Sequence, residues 1–449
     1  NIHIIIKKQD LLPMSAVLAI IQKCNSFLWG GPLLLLLMGT HLFFSFYLHF
    51  PQGKTWKAVR MSFKGKDADQ NNLSVFATLS TTLAATLGTG NIVGVSTAVA
   101  LGGPGAVFWC WITGVLGMAT SYAECYLSVR YRSRDKAGTH AGGPMYVFQN
   151  GLHMPLLGSF YAVLTLLAAL FVGCTTQSNS MAETGKSSFH LAPSLTGFLA
   201  AILAGLVIVG GIRSIGKVCV RLVPVLAILF TGSCLLLLFL NRTCLFPAVA
   251  LILKDAFTGK AVGSGLSAGS LMNVLRYGIA RGLFTNEAGI GTSSIMAAAS
   301  SEESPSRQAY VSMTAVFWDT VVMCLLSGLV IVTNILKRPQ SVLHASQGTL
   351  TDAAFSSLPF LGNGFLSVCL IAFALTTLIG WSYLGESAVT YLTGGRGLFL
   401  YKVAYIVMIY IGAILPLQTV WECTDLINAC MVIPNVLALF LLRREIQIT

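Results

Sequence analysis

The sequence predicts an all-α integral membrane protein of about eleven transmembrane helices, arranged as a five-plus-five inverted repeat behind one extra helix. Three observations predict it. Only 10% of the 449 residues are charged while 55% are hydrophobic, against roughly 25% charged in soluble domains. Apolar runs of about 20 residues, long enough to cross a bilayer, recur along the whole chain. Two of those runs are interrupted in the same way by glycines and amides.

The apolar runs fall at 27–50, 74–100, 105–129, 155–182, 194–211, 219–240, 265–299, 309–336, 361–393, 400–416 and 419–442. Strands can span only as a closed barrel of short alternating segments. The unbroken runs at 33–38 and 235–240 do not alternate, so the spans are helices. The organisation follows: an N-terminal extension (1–26), a peripheral helix (27–50), a loop (51–73), two repeats (74–240 and 241–442) and a tail (443–449).

Net charge is +12, and its placement matters more than its size. The lysines and arginines of 54–66 and 130–136 fall on one side of the predicted spans, with Arg213, Lys217, Arg221, Arg307, Arg396, Lys402, Arg443 and Arg444. Fewer cations fall on the other. The positive-inside rule then puts the N-terminus outside and the C-terminus in the cytoplasm of a multi-pass cell-membrane protein. No basic run is interleaved with stacking aromatics, which argues against nucleic acid as a partner. The 11 cysteines form no C-x-x-C pair and sit mostly in apolar runs, as small buried hydrophobes do. The opening NIHIIIKKQDLLP lacks the cleavage site of a signal peptide. With no initial Met, residues 1–13 are expected not to belong to the natural start.

The two interrupted runs are TTLAATLGTGNIVGVSTAVALGGPG at 81–105 and RYGIARGLFTNEAGIGTSSIMAAA at 276–299. Each glycine weakens a helix by about 1 kcal/mol relative to alanine. The freed backbone groups are tolerated only where protein or a watery cavity satisfies them. With 27–50 set aside, the breaks fall on the first and sixth of ten helices, and matching breaks in two halves point to a carrier built from inverted repeats. The bland alternative is close helix packing, for which Gly90 and Gly94 have the right spacing. Packing accounts for the glycines but not for Asn91, Asn286 and Glu287, which are costly in lipid.

At these residues the sequence resembles the alanine or glycine:cation symporter family, also called sodium:alanine symporters, within the amino acid-polyamine-cation superfamily. The matching strings are GTGNIVGV (88–95), LGGPGAVFW (101–109), GMATSYAEC (117–125), GGPMY (142–146) and QSNS (177–180). They continue in order with GGIRSIGKV (210–218), ARGLFTNEAGIG (280–291), GWSYLGE (380–386) and IPN (433–435). The resemblance implies a leucine-transporter-type (LeuT-like) fold with discontinuous first and sixth core helices and an added N-terminal helix. It also implies uptake of alanine or glycine driven by sodium, or by protons in some members. Cys110 stands where the family usually has methionine, and Gly114 is a second departure with more bearing on packing.

A zwitterion brings a carboxylate and an ammonium into a low-dielectric site, and both need partners. Half-helix N-termini favour the anion, which makes 88–91 and 285–289 the candidate cradle. The resemblance implies substrate contacts from Thr89, Gly90 and Asn91. It implies the same for Gln177, which could otherwise bridge two helices. Phe284 and Trp381 would wall a small pocket, with Thr285 and Asn286 beside it. A sodium ion needs several oxygens in place of its water. The fold implied by the resemblance would supply Thr376 and Thr377 opposite carbonyls near Ala85 and Gly88, unless those hydroxyls bond back along their own helix. Buried carboxylates at Glu124, Glu287 and Asp319, with Thr320 and Asp425, suit ion binding, proton coupling or capping of freed N–H groups. Capping is preferred for Glu124 and Glu287, with Arg276 and Arg281 as their expected partners.

Other classes have less support. No His lies in an H-E-x-x-H setting, and neither a P-loop nor a G-x-S-x-G elbow occurs. The chain is therefore expected to be neither an enzyme nor an ATP-driven pump. A channel would show repeated filter elements. No cofactor is expected beyond Na⁺ (or H⁺) as coupling ion, and no partner beyond the small amino acid and membrane lipid. The alternative kept open is a cation-coupled carrier for another small neutral amino acid.

Overall fold

The computed structural model describes residues 11–65, 67–68, 72–134, 138–258, 271–342, 349–358 and 362–448. Helices dominate them, with one two-stranded ribbon, Ser133–Arg134 against His140–Ala141. Core helix 1 is Val75–Thr86 followed by Gly90–Gly102, bent by 50° between its halves. Core helices 2 to 5 are Ala106–Arg130, Pro155–Phe189, Pro193–Ile208 and Gly211–Leu240. Core helix 6 is Leu271–Asn286 and Thr292–Ala298, separated by an unwound stretch. Core helices 7 to 10 are Pro305–Lys337, Gly362–Thr393, Leu398–Ile414 and Leu417–Leu441.

Six helices are long and apolar enough to span by themselves, and two bent pairs bring the number to eight among the described residues. Core helices 4 and 9 are apolar but short. Core helix 6 is divided by its break, so the remaining spans fail a length test for physical rather than topological reasons. The packing joins the two repeats. Core helix 2 lies against 6 and 7, core helix 3 against 8 and 9, and core helix 4 against 9. The first half of core helix 1 packs on 5 and 8, its second half on 6.

Several expected boundaries shift. The peripheral helix at 27–50 is the second half of a longer N-terminal span, Leu11–Leu28 and Pro32–Tyr47, with a 40° bend. Lys23, Gln22 and Asn25 hid its first half from a hydropathy reading. Asn25 donates to Glu422 on core helix 10 at 2.7 Å, so that polarity is satisfied within the protein. The loop at 51–73 contains a helix, Thr55–Phe63. Core helix 5 starts at Gly211 rather than 219 and carries Pro224 inside it. Arg242–Thr258 forms a further helix that hydropathy alone did not indicate. The expected start of the sixth span, 265–270, lies outside the described residues.

Three of the long helices contain π segments, at Gly90–Gly94, Ala169–Thr175 and Phe317–Cys324. Each such bulge adds a residue to a turn and rotates the side chains beyond it about the helix axis. The segments in core helices 1 and 7 pack against each other.

Candidate functional site

The two breaks face each other. A Cβ placed on Gly90 would stand 3.0 Å from Thr285 Oγ1, and one on Gly94 3.9 Å from the same atom. Beyond Thr86 the chain leaves helical geometry at Leu87 (φ −71, ψ 94). In core helix 6 the chain turns through positive φ at Glu287, Gly289 and Gly291. That backbone is natural for the glycines and strained for Glu287.

Side chains hold the breaks open. Asn91 Oδ1 accepts the Gly88 N–H at 3.2 Å, and Asn91 Nδ2 donates to the Asp319 carboxylate at 2.7 Å and its carbonyl at 3.0 Å. The other Asp319 oxygen accepts from Thr320 at 2.7 Å. Glu124 Oε1 accepts the Gly289 N–H at 2.8 Å and the Asn435 amide at 2.6 Å. Glu287 accepts the Thr292 hydroxyl at 2.5 Å, and Asn286 Oδ1 accepts the Ala288 N–H at 2.9 Å. Carboxylates and amides thus take the freed donors that lipid could not.

Other atoms at the breaks have no partner among the described residues. Thr89 Oγ1 and Gln177 Oε1 are buried without a hydrogen bond. They belong to the same place: a Cβ on Gly88 would stand 3.4 Å from Gln177 Oε1 and 3.0 Å from Thr377 Oγ1. Buried polar atoms are rarely left unpaired without a reason. The π segment Ala169–Thr175 precedes Gln177 in core helix 3.

Thr377 Oγ1 lies 3.2 Å from the Leu87 carbonyl and 3.0 Å from the Phe373 carbonyl. Thr376 Oγ1 bonds back only to Phe373, at 2.8 Å. Trp381 is 1% exposed and donates its indole N–H to the Ala85 carbonyl at 3.2 Å. Its ring packs where Gly173 has no side chain; a Cβ there would come within 2.2 Å of Trp381.

The structure therefore brings Gly88, Thr89, Gly90, Gln177, Thr285, Thr377 and Trp381 together around the first break. It separates others. The Asn91 side chain turns toward core helix 7. The amide of Asn286 faces core helix 2, where a Cβ on Gly117 would be 3.5 Å from its Nδ2. Phe284 packs against Trp421 with ring centres 5.5 Å apart and the planes tilted by 41°, and lines a cavity of about 120 Å³ with Trp29, Arg281 and Asp425. The Ala85 carbonyl is occupied by Trp381. Arg276 and Arg281 make no ion pair with Glu124 or Glu287 among the described residues. They lie over the Tyr277 and Trp421 rings instead, because the arginines are in the first half of core helix 6 and the carboxylates lie at or behind its unwound end. Gly114 admits Thr320, whose Cγ2 would be 2.7 Å from a Cβ there.

Sequence reasoning missed the Leu87 and Phe373 carbonyls, since a backbone oxygen leaves no mark on residue identity. It also missed the closure at the far end of the bundle. There Leu73 bridges Ser300, and Arg132 donates to the Ser300 and Glu302 carbonyls at 2.9 and 3.0 Å and pairs with Glu303 at 3.0 Å. His140 N–H reaches Asn72 at 2.7 Å. This ties the start of core helix 1 to the end of core helix 6.

The fold and sequence have known counterparts. In solved structures the chain is similar to MhsT in complex with L-phenylalanine (TM-score 0.60, 14% identity, 84% of this chain and 90% of that one). It is also similar to a Na⁺-coupled sialic acid symporter (TM-score 0.51, 10% identity, covering 91% and 82%). At such identity these show the fold alone. Among curated sequences, it is 41% identical to the sodium/alanine symporter AgcS of Methanococcus maripaludis, over 94% of both chains. It is 33% identical to the probable sodium/glutamine symporter GlnT of Bacillus subtilis, over 95% of this chain and 88% of that one. The sequence pattern of the sodium:alanine symporter family matches residues 14–448. With two facing helix breaks and a match across nearly its whole length, the chain belongs to the sodium:alanine symporter family of cation-coupled amino-acid carriers and is a transporter rather than an enzyme.

Proposed function

We propose that this protein carries alanine or glycine into the cell together with sodium, by alternating access around the two facing breaks. The observation that carries the reading is the pair of buried, unpartnered oxygens, Gln177 Oε1 and Thr89 Oγ1, at the first break. Gln177 Oε1 accepts from the substrate ammonium, while Thr89 and the backbone at Gly90 take the carboxylate. Both side chains are neutral, which suits a zwitterion of no net charge. Thr285 and Trp381 close the cavity around a small side chain. Asn91 and Asn286 contribute through the backbone they shape, and Phe284 stands on the outer approach beside Arg281 and Asp425.

Sodium is held between Thr377 Oγ1 and the Leu87 and Phe373 carbonyls, with Gly88 adjoining. These are neutral hard oxygens, the ligand type alkali and alkaline-earth cations favour. Ala85 and Thr376 flank the site without turning a free oxygen into it. Glu124, Glu287 and Asp319 cap the breaks. Residues 74–240 and 241–442 act as the two repeats that rock about the site. The excess of Lys and Arg at the end bearing Arg132 and Arg443 supports the reading in which that end is cytoplasmic and the N-terminus outside.

A carrier for a larger neutral amino acid is the second reading, supported by the name of the Bacillus subtilis relative. Proteoliposome uptake decides between them. Labelled alanine should concentrate under an inward sodium gradient, and unlabelled glycine should compete better than glutamine. Accumulation driven equally by a proton gradient without sodium, or competition led by glutamine, would replace this reading.

A further inference from the structure

Two cavities lie end to end along one seam, between the first half of core helix 1 and core helix 5. The first, about 460 Å³, is lined by Ser74 and Ala77 on one wall and by Arg213, Lys217 and Arg221 on the other. The second, about 380 Å³, continues toward the membrane centre and is apolar. Phe76, Leu83 and Ala227 line it, and Phe63 and Trp318 flank it. On core helix 5 the lining positions are 213, 216, 217, 220, 221, 223, 224, 227, 228 and 231. That spacing places them on one helix face. A single stripe thus runs from cations to hydrocarbon. Neither cavity includes Thr89 or Gln177 in its lining.

The cations are open to an occupant. Lys217 and Arg221 are exposed and make no ion pair among the described residues. Beside the apolar cavity lies the helix Thr55–Phe63, whose Trp56 and Phe63 are 69% and 72% exposed and which also carries Lys57 and Arg60. Aromatic rings and cations on one short helix mark the depth of the lipid headgroups. The cationic cavity therefore lies at headgroup level and the apolar one at acyl level.

We propose that this seam binds one anionic phospholipid, its phosphate against Lys217 and Arg221 and one acyl chain in the groove between core helices 1, 5 and 7. A neutral lipid fills the groove without using the cations, and a free phosphate uses the cations without filling the groove. Only an amphiphile with an anionic head satisfies both. The inference rests on the membrane placement given above. Its occupant touches the half-helix that ends at the first break, so it would bear on how far that half can swing.

The test is titration of delipidated protein with phosphatidylglycerol, read by native mass spectrometry without amino acid present. K217Q/R221Q should weaken binding about 30-fold, at about 1 kcal/mol per basic residue, and K217R/R221K should retain it. Ala227→Phe fills the groove without changing charge and should weaken binding as well. Phosphatidylcholine binding as tightly as phosphatidylglycerol, unchanged affinity in K217Q/R221Q, or displacement of the lipid by inorganic phosphate alone would each overturn the proposal. A failure of the transport reading would appear instead as absent uptake with lipid still bound.

Discussion

In the proposed carrier two buried amides in apolar helices take different parts, Asn91 in the framework and Gln177 in the binding site, and their substitutions should behave oppositely. Asn91→Ala strips the Gly88 N–H of its acceptor and one Asp319 oxygen of its donor, in a place closed to solvent. Each orphaned group costs about 1–3 kcal/mol, so the loss is on the order of 2–6 kcal/mol. Against a typical stability of about 5–15 kcal/mol that is a large fraction. Gln177→Leu removes an oxygen that has no partner, so the fold should lose little or gain. The same change removes the proposed acceptor for the ammonium, a bond to a charged group worth about 1.5–3 kcal/mol. Substrate affinity should fall about 10- to 150-fold. Thermal melting in detergent and uptake in proteoliposomes, measured on the same preparations, give both numbers. Asn91→Ala should melt well below wild type; Gln177→Leu should melt with it and fail to transport. If Gln177→Leu melts as low as Asn91→Ala, or transports normally, the assignment of Gln177 to the substrate fails.

Three further outcomes come from the geometry. Thr377→Val should raise the sodium concentration for half-maximal uptake by about 10- to 150-fold, the worth of one bond to a charge; Thr376→Val, whose hydroxyl meets only Phe373, should change it less than about threefold. Gly173→Ala drives a methyl into Trp381 and should destabilise by about 1–3 kcal/mol or more, seen as a lowered melting temperature. At the far end, burial opposes ionisation of Glu303, but Arg132 beside it prevails and holds its carboxyl below the usual range. A depressed folded value means the contact's contribution is complete above the unfolded value of about 4.3 and is lost as pH falls through the lower folded one. Acidification across that window should loosen the closure between Arg132 and the 298–303 segment in wild type and not further in Glu303→Gln, as followed by hydrogen exchange of residues 72–77.

Much of this was legible in the sequence for a physical reason. Lipid tolerates no unpaired backbone, so a glycine-rich polar stretch in an apolar run must be built around a break, and both breaks fall where the pattern put them. The division of labour among the polar residues was not legible. Asn91 and Gln177 look alike as isolated amides in apolar helices. Only the folded structure, with its π segments in core helices 1, 3 and 7, shows that one turns to Asp319 and the other to Gly88. Nor does sequence show that the Asn286 oxygen closes its own turn at Ala288 while its Nδ2 is left without a partner among the described residues. The arginines of the sixth helix looked like partners for buried carboxylates because sequence distance ignores which side of a break each occupies. The first half of the N-terminal span escaped because its Asn25 is satisfied by Glu422, a contact nearly four hundred residues away.

The proposed carrier holds its substrate and ion between the two unwound stretches, and hydrogen–deuterium exchange with and without alanine, in sodium, measures that at the backbone itself. Added alanine should slow exchange together in peptides covering 85–95 and 284–292, and removing sodium should abolish the effect. Protection confined to other helices, or none in either stretch while transport proceeds, would contradict it.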